Sequence, residues 1–340
     1  MTEAESRLTG LIDRFKQLGI DEQIDYNKFY LYSIVTHSTA IEGSTVTEVE
    51  NQLLFDEGIS AKGRTMVELM MNLDLKRAYD VAMKMAETHA DFSVDMLKKL
   101  AAVVMRNTGS VYNTILGSFS SSDGDIRLLN VTAGYGGSSY LAYTKVPMAL
   151  KSFCAELNEA RHSVSASDVI ASYKLSFDAH FRLVTIHPWA DGNGRTSRLV
   201  MNYLQFERGL IPTLIEKDRK AEYIAALVAA RESGNMEVFE NFMINQHADY
   251  LQKTIDNYLK TTENVPINVP INVPIKENLS KREIDIVRLM REDKNLSLAE
   301  MATRMGVEQR TIKRDVAHLK QMGVVERVGA NKNGYWVVLK

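Results

Sequence analysis

The sequence predicts a mainly α-helical protein in two parts. A large helical body is interrupted by a short β excursion, and a small C-terminal unit of three helices and a hairpin follows it. Three observations predict this. Apolar residues recur at three- and four-residue spacing through most of the first 260 positions, the period of a helix with one buried face. Residues 109–145, rich in Gly, Ser, Thr and Tyr, break that period and read as one or two hairpins, with turns at Asp123-Gly124 and Gly136-Gly137. Residues 264–275 repeat Asn-Val-Pro-Ile three times, and each proline removes a donor and biases its predecessor away from helix. That repeat reads as an extended spacer reaching on the order of 35 Å. The expected divisions are a helical region at 1–100, a core at 101–260, a proline-containing linker at 261–277 and a small domain at 278–340.

Composition narrows the class of protein. Apolar residues make up 45% and charged residues 25% of the 340 positions, the balance of an ordinary globular protein. Cys154 is the single cysteine, which excludes an internal disulfide framework and a cysteine metal cluster. The N-terminus is polar and acidic, and no run of about eighteen apolar residues exists, so the expected location is the cytoplasm, with no membrane partner. From Lys276 onward the chain carries +5 and the remainder −7, which points to separate partners for the two parts.

The elements follow from local signals. Thr47-x-x-Glu50 is a capping box that opens a helix. Ile170, Tyr173, Phe177, Phe181 and Val184 form one apolar stripe. Leu199, Val200, Tyr203, Leu204 and Phe206 form the next, stopped by Gly209 and Pro212. Ala221–Glu232 and Met236–Leu259 supply further amphipathic helices. In the C-terminal unit, Ser280-x-x-Glu283 and Ser297-x-x-Glu300 are two more capping boxes. Gly306 makes a turn, Glu308–Met322 forms a third helix, and Val324–Val328 and Tyr335–Leu339 flank a turn at Gly329–Gly334. This is helix-turn-helix spacing, with Gln309, Arg310, Lys313 and Arg314 near the start of the recognition helix.

The chemistry is concentrated between the two apolar stripes, in His187-Pro188-Trp189-Ala190-Asp191-Gly192-Asn193-Gly194-Arg195-Thr196-Ser197-Arg198. A chain that turns through Asp-Gly-Asn-Gly into a helix directs its free N–H groups out of the helix N-terminus. That end carries roughly half a positive charge and suits a phosphate. Arg195 and Arg198, three residues apart, project from one face of the first turn. Arginines there oppose the helix dipole, so a polyanion is expected to fill the site. His187 stands beside it as a base with an ordinary pKa near 6.5. No zincin spacing and no phosphate-binding Gly-x-x-x-x-Gly-Lys-Ser/Thr run is present. His180, on the apolar stripe, reads as a core histidine, and the sixteen methionines as core filling.

This run resembles the signature of the Fic family, His-Pro-Phe-x-Asp/Glu-Gly-Asn-Gly-Arg-x-x-Arg, at every fixed position but one. Trp189 replaces the phenylalanine, an apolar anchor in the family. The resemblance implies a Fic helical core with a β-hairpin flap that clamps an extended peptide of the target. Tyr143-Thr144-Lys145-Val146-Pro147 is the stretch assigned to that flap. It implies transfer of AMP from ATP to a Ser, Thr or Tyr hydroxyl of a target protein, or of the chain itself. His187 is then the general base, and Asp191 holds Mg²⁺ on the phosphates. Gly192, Asn193 and Gly194 offer backbone N–H groups, with the Asn193 side chain, to the phosphates. Arg195 stabilises the departing pyrophosphate, and Arg198 grips the γ-phosphate. Tyr223, following Arg219, matches a pattern the family uses near the adenine pocket, with a helix-core tyrosine as the alternative.

Upstream, Ser38-Thr39-Ala40-Ile41-Glu42-Gly43 resembles the family's inhibitory motif, Ser/Thr-x-x-x-Glu-Gly/Asn. The resemblance implies that Ser38, Glu42 and Gly43 form an autoinhibitory segment. A Glu42 carboxylate on Arg198 would take away the grip on the γ-phosphate. It also implies pairing as a homodimer. Two other functions stay open: removal of AMP by the same site, and a DNA-binding regulator whose core senses nucleotide. The C-terminal unit resembles a winged helix domain of bacterial regulators, with DNA or a protein as its partner.

Overall fold

A computed structural model describes residues 1–23, 26–133, 139–263, 280–321, 324–328 and 335–338. The chain divides into two compact units, Met1–Thr261 and Thr262–Lys340.

In the first unit, five helices precede the β excursion: α1 (Glu3–Gln17), α2 (Tyr26–Ile41), α3 (Glu48–Glu57), α4 (Met66–Ala86) and α5 (Val94–Val104). Strands β1 (Val111–Thr114) and β2 (Gly117–Ser120) follow. Then come α6 (Val146–Ser163), α7 (Val169–Ile186), α8 (Asn193–Glu207), α9 (Lys220–Ser233) and α10 (Glu237–Glu263). Thr47 and Glu50 form the expected capping box on α3, and α2 ends at Ile41, just ahead of Glu42. Helix α10 runs through Glu263, into the stretch read as linker, and the Asn-Val-Pro-Ile repeats lie outside the described residues. No described helix is long and apolar enough to cross a membrane.

Helix α8 is the axis of this unit, packed against α7, α4, α5 and α2. Every residue from Arg195 to Gln205 is buried. A helix buried all round must look for partners for its polar side chains within the protein, and Asn202 and Gln205 of α8 find them. Asn202 accepts from the Tyr79 hydroxyl at 2.7 Å and donates to Gln205 Oε1 and the Thr213 carbonyl. Gln205 donates to the Ser176 and Thr213 hydroxyls at 2.9 and 3.0 Å. These bonds fix the axial position of α8, and with it the height of its first turn.

The β excursion differs in detail from expectation. Among its described residues one antiparallel hairpin forms, pairing Val111 with Ser120 and Thr114 with Gly117. Asp123 ends a 3-10 turn that stops at Gly124. An isolated bridge joins Thr132 and Ser139, and Gly136-Gly137 lies outside the described residues. Tyr143–Pro147 is not a flap strand. Tyr143–Lys145 form a 3-10 turn, and α6 begins at Val146 with Pro147 in its first turn. Proline is favoured there because the N–H it lacks would have no partner in any case, whereas in a paired strand it would break the ladder.

The C-terminal unit holds α11 (Lys281–Glu292), α12 (Leu298–Met305), α13 (Gln309–Gln321), β3 (Val325–Val328) and β4 (Tyr335–Val338). Both capping boxes form, and Gly306 ends α12 in the left-handed conformation. Strands β3 and β4 pair antiparallel, and the turn between them lies outside the described residues. Ile286, Met301, Ile312, Leu319 and Trp336 share one small core, and the Trp336 indole donates to the Leu296 carbonyl at 2.9 Å.

A phosphate-type site at the α7–α8 turn

Helix α7 ends at Ile186 and α8 begins at Asn193, so the intervening loop brings His187 to the N-terminus of α8. His187 caps α7 in the left-handed region at φ 52°, an uncommon conformation for a side-chain-bearing residue. Its Nδ1 lies 3.2 Å from the Val184 carbonyl. The Nδ1 proton belongs in that bond, which leaves the basic lone pair on Nε2. Burial pushes the imidazole pKa down to about 4, helped by Arg127 and Arg231 and opposed by the Val184 hydrogen bond and Glu42.

The loop is braced from within. Trp189 is buried as the apolar anchor, and its indole donates to the Gly124 carbonyl at 3.1 Å, a bond phenylalanine could not make. Asn193 Oδ1 accepts from the Trp189 N–H and its Nδ2 donates to the Trp189 carbonyl, at 3.0 and 2.9 Å. Both ends of that amide are therefore committed to the loop. This corrects the expectation that the Asn193 side chain faces phosphate, and leaves its role as a clip. Gly192 starts α8 at φ 79°, with no side-chain cap on the first-turn amides. A Cβ at Gly192 would lie 2.7 Å from Met105 Sδ.

The two arginines differ. Arg195 is buried and reaches Met105 Sδ at 3.2 Å and Asp191 Oδ1 at 3.4 Å, while its Nε and Nη1 have no partner. A buried guanidinium short of acceptors is suited to an incoming anion. Arg198 is fully occupied. Its Nε donates to Ser38 Oγ at 2.8 Å, and its Nη2 to the Ser38 carbonyl at 3.0 Å and to Glu42 Oε1 at 2.6 Å. Burial draws the Glu42 carboxyl upward, but Arg198, then Arg195 and Lys220, hold it below the ordinary carboxylate value. Gly194 lies directly beneath this pair, and a Cβ there would fall 2.5 Å from Glu42 Oε1. The Glu42 carboxylate thus occupies space against the N-terminus of α8. Gly43 follows it at φ 105°.

Asp191 is exposed beside this turn, and its Oδ1 accepts from the Gly192 N–H. Among the described residues, no three acidic, histidine or cysteine side chains converge as a metal cage. One exposed carboxylate beside an anion site does fit Mg²⁺, which is held by one or two carboxylates together with substrate phosphates.

Tyr223 is buried in the core, 1% exposed, behind Arg198. Its hydroxyl lies 2.8 Å from His180 Nε2. Of its two readings the structure supports the core tyrosine, because no face is left for an adenine ring. His180 is buried as well, its pKa lowered to about 3 by burial and then by Arg198.

Sequence reasoning missed two residues beside His187. Arg127 is wholly buried and donates from Nε to the His187 carbonyl and from its Nη atoms to the Leu129 and Leu141 carbonyls. Tyr140 stacks on the imidazole with ring centroids 3.7 Å apart. Neither stands in a spaced motif with His187, so no sequence signal identified them.

In the C-terminal unit, Gln309, Arg310, Lys313 and Arg314 are all exposed on α13. Arg282 pairs with Asp315, and His318 with Glu283 at 2.6 Å, which joins α11 to α13.

The comparisons agree with this arrangement. Residues 91–205 match the Fic/DOC family and residues 282–335 match a family described as an HTH domain. Protein adenylyltransferase Fic of Drosophila persimilis is 30% identical over 234 residues, 68% of this chain and 41% of that protein. The chain thus spans about two fifths of the length of that curated relative. Among solved structures, a Fic family protein from Desulfovibrio desulfuricans G20 aligns with TM-score 0.59 at 16% identity, over 99% of this chain and 96% of that one. Fic-1 (residues 134–508) from C. elegans aligns with TM-score 0.58 at 22% identity, over 77% and 72%. The protein is a Fic/DOC domain protein with a C-terminal helix-turn-helix domain.

Proposed function

We propose that this protein is an autoinhibited adenylyltransferase that moves AMP from ATP to a Ser, Thr or Tyr hydroxyl of a target protein, itself included. The observation that carries the reading is the occupation of Arg198 by Ser38 and Glu42, beside an Arg195 whose Nε and Nη1 lack acceptors. Arg195 and the α8 amides bind phosphates, and Asp191 would hold Mg²⁺, which supplies charge neutralisation on the phosphate oxygens. His187 Nε2 removes the proton of the target hydroxyl. The hydroxyl oxygen then bonds to the α-phosphorus as the bond to pyrophosphate breaks, with the surrounding cations stabilising the developing charge. With Glu42 on Arg198 the γ-phosphate has no anchor, so nucleotide sits in a pose that does not react.

Incubation with α-labelled ATP and lysate tests this with wild type, Glu42→Gly and Glu42→Gly/His187→Ala. Strong protein labelling by Glu42→Gly alone is expected. Equal labelling by wild type and Glu42→Gly would remove the inhibitory role. Loss of label from a premodified target with wild type, but not with Glu42→Gly, would assign AMP removal instead.

A second reading concerns the C-terminal unit, where four exposed polar or basic side chains line one end of α13 in a segment of net charge +5. We propose that α13 contacts DNA. Full-length protein should shift duplex DNA in a salt-dependent way, and Arg310→Ala/Lys313→Ala should weaken that shift. A salt-independent shift, or none, would favour a protein partner. Pairing as a homodimer is a further expectation, and sedimentation reads it directly.

A further inference from the structure

We infer that Tyr140, anchored through Arg127, is a positioning residue that holds the His187 imidazole in its reactive orientation. The imidazole has one ring hydrogen bond, to Val184, at a long 3.2 Å. That bond alone leaves the ring weakly oriented. The Tyr140 ring lies on it at a centroid distance of 3.7 Å and an interplanar angle of 14°. Stacking fixes the plane of the imidazole but leaves its edge, and hence Nε2, free for a substrate hydroxyl. The Arg231 guanidinium in turn lies over the Tyr140 ring, 5.4 Å from its centroid.

The stack requires two loops to stay in register, and Arg127 is built to do this. It is 0% exposed, and its guanidinium donates to the main-chain carbonyls of His187, Leu129 and Leu141. One of those carbonyls belongs to His187 and another to Leu141, the neighbour of Tyr140. The Arg127 N–H adds a bond to the Pro188 carbonyl at 3.0 Å. A single rigid fork therefore sets the distance between the base and the ring stacked on it. The Tyr140 N–H reaches the Val131 carbonyl at 3.1 Å, and the Thr132–Ser139 bridge closes the same loop. His187 sits at φ 52°, a conformation that persists only when its surroundings hold it. The charged groups facing the imidazole are Arg127 and Arg231, which resist its protonation, and Glu42, which favours it.

The inference deepens the transfer reading, so its test has one arm that needs no turnover. In that arm, the His187 ring is titrated by NMR in Glu42→Gly and in the same background with Tyr140→Phe or Tyr140→Ala. Tyr140→Phe should titrate like the parent, well below 6.5. Tyr140→Ala should move the midpoint upward from that of the parent, toward the ordinary histidine value, as water reaches the exposed face. In the second arm, kcat for AMP transfer should fall about tenfold in Tyr140→Ala with KM for ATP little changed, and Tyr140→Phe should restore it. Tyr140→Ala that titrates and turns over like the parent overturns the inference. So does a Tyr140→Phe as impaired as Tyr140→Ala, because the ring face would then not be what acts. A titration shift without any transfer in the parent background retains the positioning role and removes the transferase reading.

Discussion

Arg198 Nη2 lies 2.6 Å from Glu42 Oε1, across 156 residues of chain. Helix α8 carries the guanidinium, and the turn just past the end of α2 carries the carboxylate. The contact is therefore a property of how those two helices pack, and each partner is also held by its own surroundings.

Ser38 supplies two of the bonds that occupy Arg198, one from Oγ and one from its carbonyl. Ser38→Ala removes only the first and leaves Glu42 in place. A hydrogen bond to a charged group contributes about 1.5–3 kcal/mol. Labelling by Ser38→Ala should rise by about tenfold or more, yet less than for Glu42→Gly, because the Glu42 contact remains. A rise equal to that of Glu42→Gly would assign the inhibition to Ser38 instead.

Gly194 is where helix propensity and the site conflict. Alanine is better than glycine inside a helix by about 1 kcal/mol, but its Cβ would lie 2.5 Å from Glu42 Oε1 and 3.1 Å from Arg198 Nη1. Gly194→Ala should lower the melting temperature of wild type and lower it less, or raise it, in the Glu42→Gly background. The double-mutant cycle should show a coupling of about 0.5 kcal/mol or more. Equal shifts in both backgrounds would mean that the carboxylate does not rest on this turn.

The proposed inhibition has a pH dependence set by Glu42. Its pKa is depressed in the folded protein, so the contact is complete above the ordinary value of 4.5 and is lost as pH falls through the lower one. The ratio of Glu42→Gly to wild-type labelling should be flat from about pH 5 to about pH 8. A ratio that collapses near neutrality would place the release on another group.

Asn72 ties the residues on either side of Glu42 to α4. Its Oδ1 accepts from Thr39 Oγ1 at 2.7 Å and Asn51 Nδ2 at 2.8 Å, and its Nδ2 donates to Ser44 Oγ at 3.0 Å and the Glu68 carbonyl at 2.9 Å. Asn72→Ala strands buried polar groups on both sides of Glu42, at a cost of about 2–4 kcal/mol. Thermal unfolding should shift down by several degrees, and labelling should rise as the segment around Glu42 loosens. An unchanged melt would show that these bonds are replaced by water.

Much of the site was legible because its chemistry is local in sequence. His187 to Arg198 is a continuous turn and helix start, and its residue types and spacing alone led to the proposal of an anion site with a base beside it. The capping boxes at Thr47, Ser280 and Ser297 were legible for the same reason, since each is a contact between residues three apart. The flap assignment failed at Tyr143–Pro147, where a proline signal for a helix start was read as strand. Asn193 was legible in place but not in use, because an amide can face phosphate or its own loop with the same sequence. Tyr223 had two readings that only burial separates.

By itself the sequence determined the helical periods, the caps, the order of charged residues in the turn and the break between the two units. These depend on interactions within a few residues. Only the tertiary structure decided that Glu42 and Ser38 occupy Arg198 while Arg195 is left short of acceptors, and that Tyr140 and Arg127 hold His187. Those contacts join helices and loops far apart in the chain, and the energy of a buried charge depends on which partners packing delivers to it.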